Sequence, residues 1–405
     1  MRRPWQAGKL IAPALVLVAL QILPASAQRI DPKIAAHLSA HQERAYRRYL
    51  GARAVFDRDL DAYWEVVEER RNHRRHLRAA KRSYSGSDFV QVQPPVYRGP
   101  SMPSDVARII ARLTPSKPSS SSSSLPDVSD FLANARRYYG FVPRMGSEDE
   151  FKHAYAREAV RLGLSKTQVV MVYALETGGR GTYDMQAGID PITKKGRPIS
   201  TALGYAQLLA ANSINELVKH GPLFLARLDE LSRSRGYSGS RREELKRKRV
   251  AVSRMLRVAR SVRNAWSSHV ALSRQPKGLG IHALNIDADI GPWLQTMKLK
   301  GVREVAEKAG RPHLSGAEIE LMNLAGPRTG LEMMDRTGLR MPTANFFSRR
   351  AYYRNTIVRD KSSAALLHAL DQRMQENLKQ QGSISFAQAF DTVLGRRGPT
   401  RAARR

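Results

Sequence analysis

The chain has 405 residues, of which 42 % are hydrophobic, and its formal net charge is +32. This length allows one large globular domain or two modest ones. The positive charge predicts an anionic partner but does not say which kind. The chain contains no cysteine, which excludes disulfide bonds, thiolate metal sites, cysteine nucleophiles and a lipid anchor on cysteine.

The first 27 residues have the pattern of a cleavable secretory signal peptide. Arg2 and Arg3 precede an apolar segment at 10–23, and Ala25-Ser26-Ala27 fits the small-residue cleavage pattern. A retained membrane anchor is the alternative, but ~14 apolar residues are short compared with the ~20 that a span requires. The sequence therefore predicts residues 1–27 to be a signal peptide cut after Ala27, and the protein to be exported.

The next hundred residues are predicted to be an appendage to the main domain. Residues 28–83 show apolar side chains at a spacing of four, as in Tyr46 and Leu50, and are expected to form a basic helical region. Its end at 68–76 is interpreted either as a solvated charged face or as a clamp for an anionic polymer. Residues 84–125 are rich in Pro and Ser, which is typical of a flexible linker.

Residues 126–395 carry helical periodicity almost throughout, which predicts a mainly α domain. The loop at 180–200 leaves room for a short β-hairpin. A basic amphipathic helix is expected within an insertion at 232–266. Its charged face is interpreted either as a solvated outer surface or as an electrostatic grip on the substrate or a membrane surface. Residues 396–405 form a basic tail.

One carboxylate in this domain has a position suited to acid–base chemistry. A helix is predicted from the N-cap Ser165 to Glu176, and Gly178-Gly179 is expected to stop it. Glu176 then lies in the last turn, beside apolar residues. The helix dipole and apolar surroundings both disfavour the carboxylate anion there. Both raise the pKa of Glu176 toward the value that a general acid needs at neutral pH.

Four segments, in the same order, resemble the motifs of lytic transglycosylases with a lysozyme-like fold. The segments are Ala174-Leu175-Glu176-Thr177-Gly178-Gly179, Ala202-Leu203-Gly204-Tyr205-Ala206-Gln207, Leu284 to Leu294, and Met322-Asn323-Leu324-Ala325-Gly326-Pro327. The resemblance covers residues 165–330. It does not extend to residues 29–125, the basic insertion or the tail.

The resemblance implies a lysozyme-like helical catalytic domain that cleaves the β-1,4 bond between N-acetylmuramic acid and N-acetylglucosamine in periplasmic peptidoglycan. Glu176 would protonate the glycosidic oxygen and then, as a base, deprotonate the sugar 6-hydroxyl, closing a 1,6-anhydro ring without water. No cofactor or metal is implied. The residues expected to bind substrate are Thr177, Gly204, Tyr205, Gln207 and Asn323.

Two departures from the family pattern leave other functions open. Thr177 stands where the family has serine, and the last motif lacks its tyrosine, for which Tyr183 or Tyr205 is a candidate substitute. A weak or inactive peptidoglycan-binding scaffold is therefore one alternative. A hydrolytic muramidase is another, if Asp184 or Asp190 faces Glu176 across a cleft.

A nucleic-acid-binding protein fits the charge, but the signal peptide and the few aromatic residues near the basic runs disfavour it. The sequence shows neither a histidine or acidic cluster with metal-ligand spacing nor a phosphate-binding glycine loop. No metal site and no nucleic-acid partner are therefore expected. Anionic wall polymer or a membrane surface remains a candidate contact of the basic helices.

Overall fold

A computed structural model of the protein describes residues 29–114 and 125–395. In these residues the fold is mainly α-helical, as the sequence predicts. The predicted signal peptide, the serine tract at 115–124 and the basic tail lie outside the described residues. Among the described helices, none combines the length and the hydropathy needed to cross a membrane.

Within the described residues, the longest connections between helices are at 80–103, 178–209 and 334–348. In chain order the α-helices are α1 (Pro32–Ala35), α2 (Ala40–Ala79), α3 (Ser104–Leu113), α4 (Val128–Tyr139), α5 (Glu148–Arg161), α6 (Lys166–Thr177), α7 (Ala210–Arg233), α8 (Gly239–Arg260), α9 (Trp266–Ser273), α10 (Pro276–His282), α11 (Gly291–Lys308), α12 (Gly316–Ala325), α13 (Pro327–Met333), α14 (Arg349–Arg354), α15 (Ser363–Leu378) and α16 (Gln381–Gly395). Short 3₁₀ turns occur in the connections.

The chain divides into two compact units, and the smaller one comprises residues 1–65 and 94–119. Its described part contains α1, the first part of α2, and α3. The core of this unit is small and consists of Ile30, Tyr46 and Val106, with further apolar side chains packed around them. Gln42 on α2 also donates a hydrogen bond of 2.6 Å to Asp105 on α3.

The larger unit comprises residues 66–93 and 120–405, and α6 lies at its centre. Helices α5, α12, α15 and α16 all pack against α6. Nearly every residue of α6 from Val169 to Ala174 is buried, which fits its apolar composition. Ser165 caps the helix through the Gln168 N–H, and Gly178 ends it with φ of 64°. Both helix boundaries were predicted from the sequence.

Residues 66–93 belong to the larger unit, where the sequence suggested an exposed helix end followed by a linker. Arg74 is only 1 % exposed and donates a hydrogen bond of 2.6 Å to Glu332. Phe89 is buried, and its ring lies 3.9 Å from the Arg74 guanidinium. Part of the basic segment at 68–76 therefore packs against the protein itself, because buried carboxylate and carbonyl groups satisfy its charge.

The basic insertion at 232–266 contains α8, and one face of that helix packs into the larger unit. Leu245, Val252 and Met255 are buried at the spacing that the sequence indicated. Lys248 on this face is also buried, and its Nζ lies 2.7 Å from Asp287. Arg247 next to it is exposed. The outer face of α8 is thus basic, while its inner face combines apolar packing with buried ion pairs.

In the loop at 180–200 the predicted hairpin is reduced to isolated antiparallel bridges. Ile189 pairs with Gly196, and Gln186 pairs with Leu203. The turn between Ile189 and Gly196 is closed by a hydrogen bond of 2.8 Å from the Asp190 N–H to the Lys195 carbonyl. The bridges hold this loop in a defined shape without forming a regular strand.

Candidate functional site

The end of α6 that carries Glu176 is held by three hydrogen bonds from side chains. Asn377 of α15 donates to the Ala174 carbonyl at 2.9 Å. Tyr173 donates to the Gly181 carbonyl at 2.8 Å, which fixes the chain after the helix. The Thr177 hydroxyl donates to the Tyr173 carbonyl at 2.7 Å. The bond from Asn377 satisfies the Ala174 carbonyl, one of the carbonyl groups that a helix end leaves unpaired. Together the three bonds fix the end of the helix that carries Glu176.

The Glu176 carboxyl group forms a pair with the carboxyl group of Glu320 on α12. The two side chains are joined by a hydrogen bond. Helices α6 and α12 pack closely because α12 begins with Gly316, where a Cβ would lie 2.5 Å from the Met171 Cβ. Glu320 is 1 % exposed, whereas Glu176 is partly exposed. Glu176 is therefore the member of the pair that lies nearer to solvent.

Two further side chains complete the surroundings of Glu320. Asn323, one helical turn later, donates a hydrogen bond of 3.3 Å to its Oε2. The ammonium group of Lys298 on α11 lies close enough to lower the pKa of Glu320. Lys298 also interacts with Glu216 of α7, and burial lowers its own pKa. The carboxyl pair is thus the end of a polar chain that involves four helices, α6, α12, α11 and α7.

Burial is the main cause that raises the pKa of both carboxyl groups. The pKa of Glu320 is raised to about 7, since Asn323, Glu176 and Lys298 partly offset the cost of burial. The pKa of Glu176 is raised well above its ordinary value, first by burial and then by the charge of Glu320. Two adjacent carboxylates cannot both ionise without strong repulsion. At neutral pH the pair therefore retains a proton, which the two carboxyl groups share.

The expected substrate-binding residues of the second motif lie in a tight turn. Gly204 has φ of 79°, and a Cβ there would lie 2.6 Å from the Gln295 side-chain nitrogen. Gln295 in turn accepts a hydrogen bond of 3.0 Å from the Ala206 N–H. Gln207 has φ of 40° and donates to the Gly204 carbonyl at 2.8 Å and to the Met185 carbonyl at 3.1 Å. Both residues stabilise the loop.

Tyr205 is buried and does not substitute for the missing tyrosine at Glu176 in this structure. Its hydroxyl donates a hydrogen bond of 2.5 Å to Glu148 at the start of α5. Glu148 also accepts the Tyr183 N–H at 2.8 Å. Burial raises the pKa of Glu148. The two tyrosines thus belong to a second polar cluster, which joins the loop to α5.

The acidic residues of the loop at 180–200 are bound within that loop. Asp184 lies 3.1 Å from the Lys194 ammonium group. Asp190 accepts hydrogen bonds from the Ile192 and Thr193 N–H groups at 3.0 and 2.7 Å. The carboxylate that faces Glu176 is instead Glu320, which the sequence did not single out. The sequence feature that could have identified Glu320 is its position between the apolar residues Ile319 and Leu321, one helical turn before Asn323.

The structure therefore brings the first and fourth motifs together through Glu176, Glu320 and Asn323. It joins the second and third motifs through Gln295, whose side chain contacts both the Ala206 N–H and the Asn285 carbonyl. Thr177 is buried below Glu176 and contacts only its own helix through its hydroxyl. Within the described ranges, no group of His, Asp and Glu side chains is arranged to hold a metal ion.

The arrangement can hold a proton at neutral pH on a carboxyl pair whose Glu176 lies nearer to solvent, and it can take a proton back once the pair ionises. Comparisons with known proteins add no assignment: no protein-family model, no curated protein and no solved structure matches this chain.

Proposed function

We propose that the protein is a periplasmic lytic transglycosylase that cleaves the MurNAc–GlcNAc bond of peptidoglycan, with Glu176 acting first as an acid and then as a base. The observation that carries this proposal is the carboxyl pair: Glu176 lies at a rigid, partly exposed helix end, and burial together with the neighbouring Glu320 raises its pKa. The order of the four motifs along the chain supports the same reaction.

In the first step Glu176 donates its proton to the glycosidic oxygen while the bond to C1 breaks. A general acid works best when its pKa lies near the working pH or above it, so that it still carries the proton. Burial and Glu320 both raise the pKa of Glu176 in that direction. The acetamido group of the substrate stabilises the positive charge that develops at C1.

In the second step the Glu176 carboxylate accepts the proton of the sugar 6-hydroxyl, whose oxygen attacks C1 and closes the 1,6-anhydro ring. The carboxylate formed in the first step lies beside Glu320, and like charges in a buried site raise proton affinity. Glu320 therefore makes Glu176 a stronger base at the stage where a base is needed. It is a positioning residue, because it acts through Glu176 and not on the sugar.

The separation of the two carboxyl groups argues against a hydrolytic mechanism with two catalytic carboxylates. Such enzymes hold their carboxyl groups ~5–5.5 Å apart for retention or ~6.5–9.5 Å apart for inversion, with the sugar between them. Glu176 and Glu320 are in hydrogen-bond contact. No sugar ring fits between groups in contact, so this pair suits a mechanism with one acting carboxylate.

Product analysis tests this proposal directly. The purified protein is incubated with peptidoglycan sacculi, and the soluble fragments are identified by mass spectrometry. Muropeptides with 1,6-anhydro ends, released by the native protein and absent with Glu176→Gln, are the expected result. Reducing ends would identify a hydrolase. Binding to sacculi without any product would identify a non-catalytic wall-binding protein.

A further inference from the structure

The larger unit has a cavity of about 340 Å³ away from the carboxyl pair. Residues before and within α5 form one side of it, and the end of α7, the start of α8 and the start of α11 form the rest. Ligand pockets for small molecules have volumes of ~300–1,000 Å³, so the cavity is the size of a small ligand such as a sugar. Its walls are formed by Arg144, Glu150, Ala154, Arg157, Arg227, Leu231, Tyr237, Arg241, Ala288, Asp289 and Trp293.

The charged groups around this cavity are unbalanced. Four guanidinium groups line it, against two carboxylates. Asp289 is already shared between Arg144, Arg241 and Lys248, and this surplus of positive partners lowers its pKa. Glu150 is paired with Arg144 at 2.6 Å. Arg227 and Arg241 also pair with carboxylates outside the cavity wall, those of Glu158 and Glu244. Arg157 is therefore the lining cation that no described carboxylate neutralises.

Two donors at the cavity have no acceptor in the part of the chain that the structure describes. Arg157 is exposed and forms no ion pair or side-chain hydrogen bond there. The Nε of Arg144 is buried and makes no hydrogen bond. A buried N–H without an acceptor is destabilising, and an oxyanion is the acceptor that a guanidinium group binds best.

The cavity also has an aromatic and apolar wall. The Trp293 ring carries the Arg227 guanidinium 4.2 Å from its centroid. Tyr237 is 38 % exposed, and Ala154 and Ala288 complete the surface. Arg144 and Arg241 are held in place by Asp289, so their donors are oriented before a ligand arrives. Preorganised donors beside an apolar wall suit an anionic group attached to a compact organic body.

We propose that this cavity binds a sugar-sized ligand through an oxyanion, either a carboxylate or a phosphate. Arg157 supplies the free donor, Arg144 and Arg241 supply positive charge beside it, and the wall around Trp293 and Tyr237 contacts the body of the ligand. The inference does not depend on the chemistry of Glu176. If the protein acts on peptidoglycan, N-acetylmuramic acid whose lactyl carboxyl group is free, and not joined to a stem peptide, is the carboxylate source closest to the reaction.

Calorimetric titration of the purified protein in about 0.1 M salt tests this inference with three probes. N-acetylmuramic acid and inorganic phosphate carry the two oxyanions, and N-acetylglucosamine is the neutral control that lacks the lactyl carboxylate. Saturable binding of at least one anionic probe and none of the neutral sugar is expected. Whichever anion binds identifies the source, carboxylate or phosphate.

Arg157→Gln is the variant that locates the site, and it is expected to weaken binding about tenfold, as loss of one hydrogen bond to a charged group does. Arg247→Gln is the matched control, because this exposed arginine of α8 does not line the cavity. Glu176→Gln is expected to leave binding unchanged, which separates this site from the proposed reaction.

Three results overturn the inference: no saturable binding of either anion, equal binding of the neutral sugar, or equal weakening by Arg157→Gln and Arg247→Gln. The last result would mean that the overall positive charge attracts the anions without a defined site.

Discussion

The larger unit buries charged groups in two places, and the two places satisfy them in opposite ways. Around Lys248, two carboxylates from the segment before α11 meet an ammonium group and two guanidinium groups. Between α6 and α12, the carboxyl groups of Glu176 and Glu320 meet each other. Around Lys248, cationic side chains neutralise the carboxylates. Between α6 and α12, a bound proton removes the negative charge of a carboxyl group.

This difference separates a structural cluster from a site for chemistry. Asp289 keeps its charge, because its cationic partners hold its pKa below the usual range. Such a group cannot give a proton at neutral pH. Glu320 has its pKa raised to about 7, and the pKa of Glu176 is also raised well above its ordinary value. A proton can therefore leave and return at the carboxyl pair near neutral pH, which acid–base catalysis requires.

The largest expected effect is on turnover, from Glu176→Gln. Glutamine keeps the shape of the side chain but neither donates the proton nor takes it back, and general acid–base groups contribute ~10²–10⁴-fold each. Release of anhydromuropeptides should fall by at least about 10³-fold, as measured by mass spectrometry. The melting temperature should not fall, since the variant removes a carboxyl that is costly to bury. A drop of more than a few degrees would show that the residue is structural.

The next largest effect should be on stability, from Lys248→Met. Removing this ammonium group leaves Asp287, which is fully buried, without its cation. Breaking a buried ion pair costs about 3–5 kcal/mol, measurable as a lower midpoint of urea unfolding. Arg247→Met, at the exposed neighbouring position, should change the free energy of unfolding by less than about 0.5 kcal/mol. Equal losses of unfolding free energy in Lys248→Met and Arg247→Met would show that the ion pairs of Lys248 do not stabilise the fold.

Glu320→Gln should alter the pH dependence of the rate more than its maximum. Without the Glu320 charge the pKa of Glu176 falls, so Glu176 loses its proton at a lower pH. The alkaline limb of the pH–rate profile should move to lower pH, with about tenfold loss of rate at pH 8 and less at pH 5. An unshifted profile would show that Glu320 does not control the proton.

The same variant should change how stability depends on pH. The folded protein holds a proton on Glu320 up to about pH 7, whereas unfolded Glu loses it near its ordinary pKa of 4.5. The folded state binds more protons between these values, so native stability falls as pH rises through them. Glu320→Gln should lessen that fall, seen as a gain in melting temperature at pH 8 relative to pH 5. Glu307→Gln, at an exposed ion pair, is the control and should give no such gain.

The smallest effect is expected from Asn323→Ala. Its hydrogen bond to Glu320 lowers the pKa of that carboxyl, so its removal should raise the pKa of Glu320 modestly. The rate at neutral pH should change less than about tenfold. A loss as large as that of Glu176→Gln would instead indicate that Asn323 touches the substrate.

The sequence predicted the local structure around Glu176 well, because local rules decide it. Ser165, Gly178 and the apolar run between them specify the start and the end of α6 through capping and backbone conformation. The partner of Glu176 was not predictable in this way. Glu320 lies 144 positions later, and only the packing of α12 on α6 brings the two carboxyl groups together.

The same limit explains another difference from the sequence-based expectations. A run of arginines predicts a solvated face, yet Arg74 is buried because Glu332, far along the chain, supplies its counter-charge. For the second motif, the structure adds a local role to the predicted substrate contacts: Gly204 and Gln207 both have positive φ angles and shape the turn. Their contacts with a substrate stay a prediction.

The most direct measurement is the protonation state of Glu176 in the folded protein, followed by NMR of the side-chain carboxyl carbon with ¹³C-labelled glutamate. Glu176 is expected to remain protonated at pH 7, and its pKa is expected to fall in Glu320→Gln. An ionised Glu176 at pH 7, with a pKa near the ordinary 4.5 in both proteins, would contradict its proposed role as the general acid.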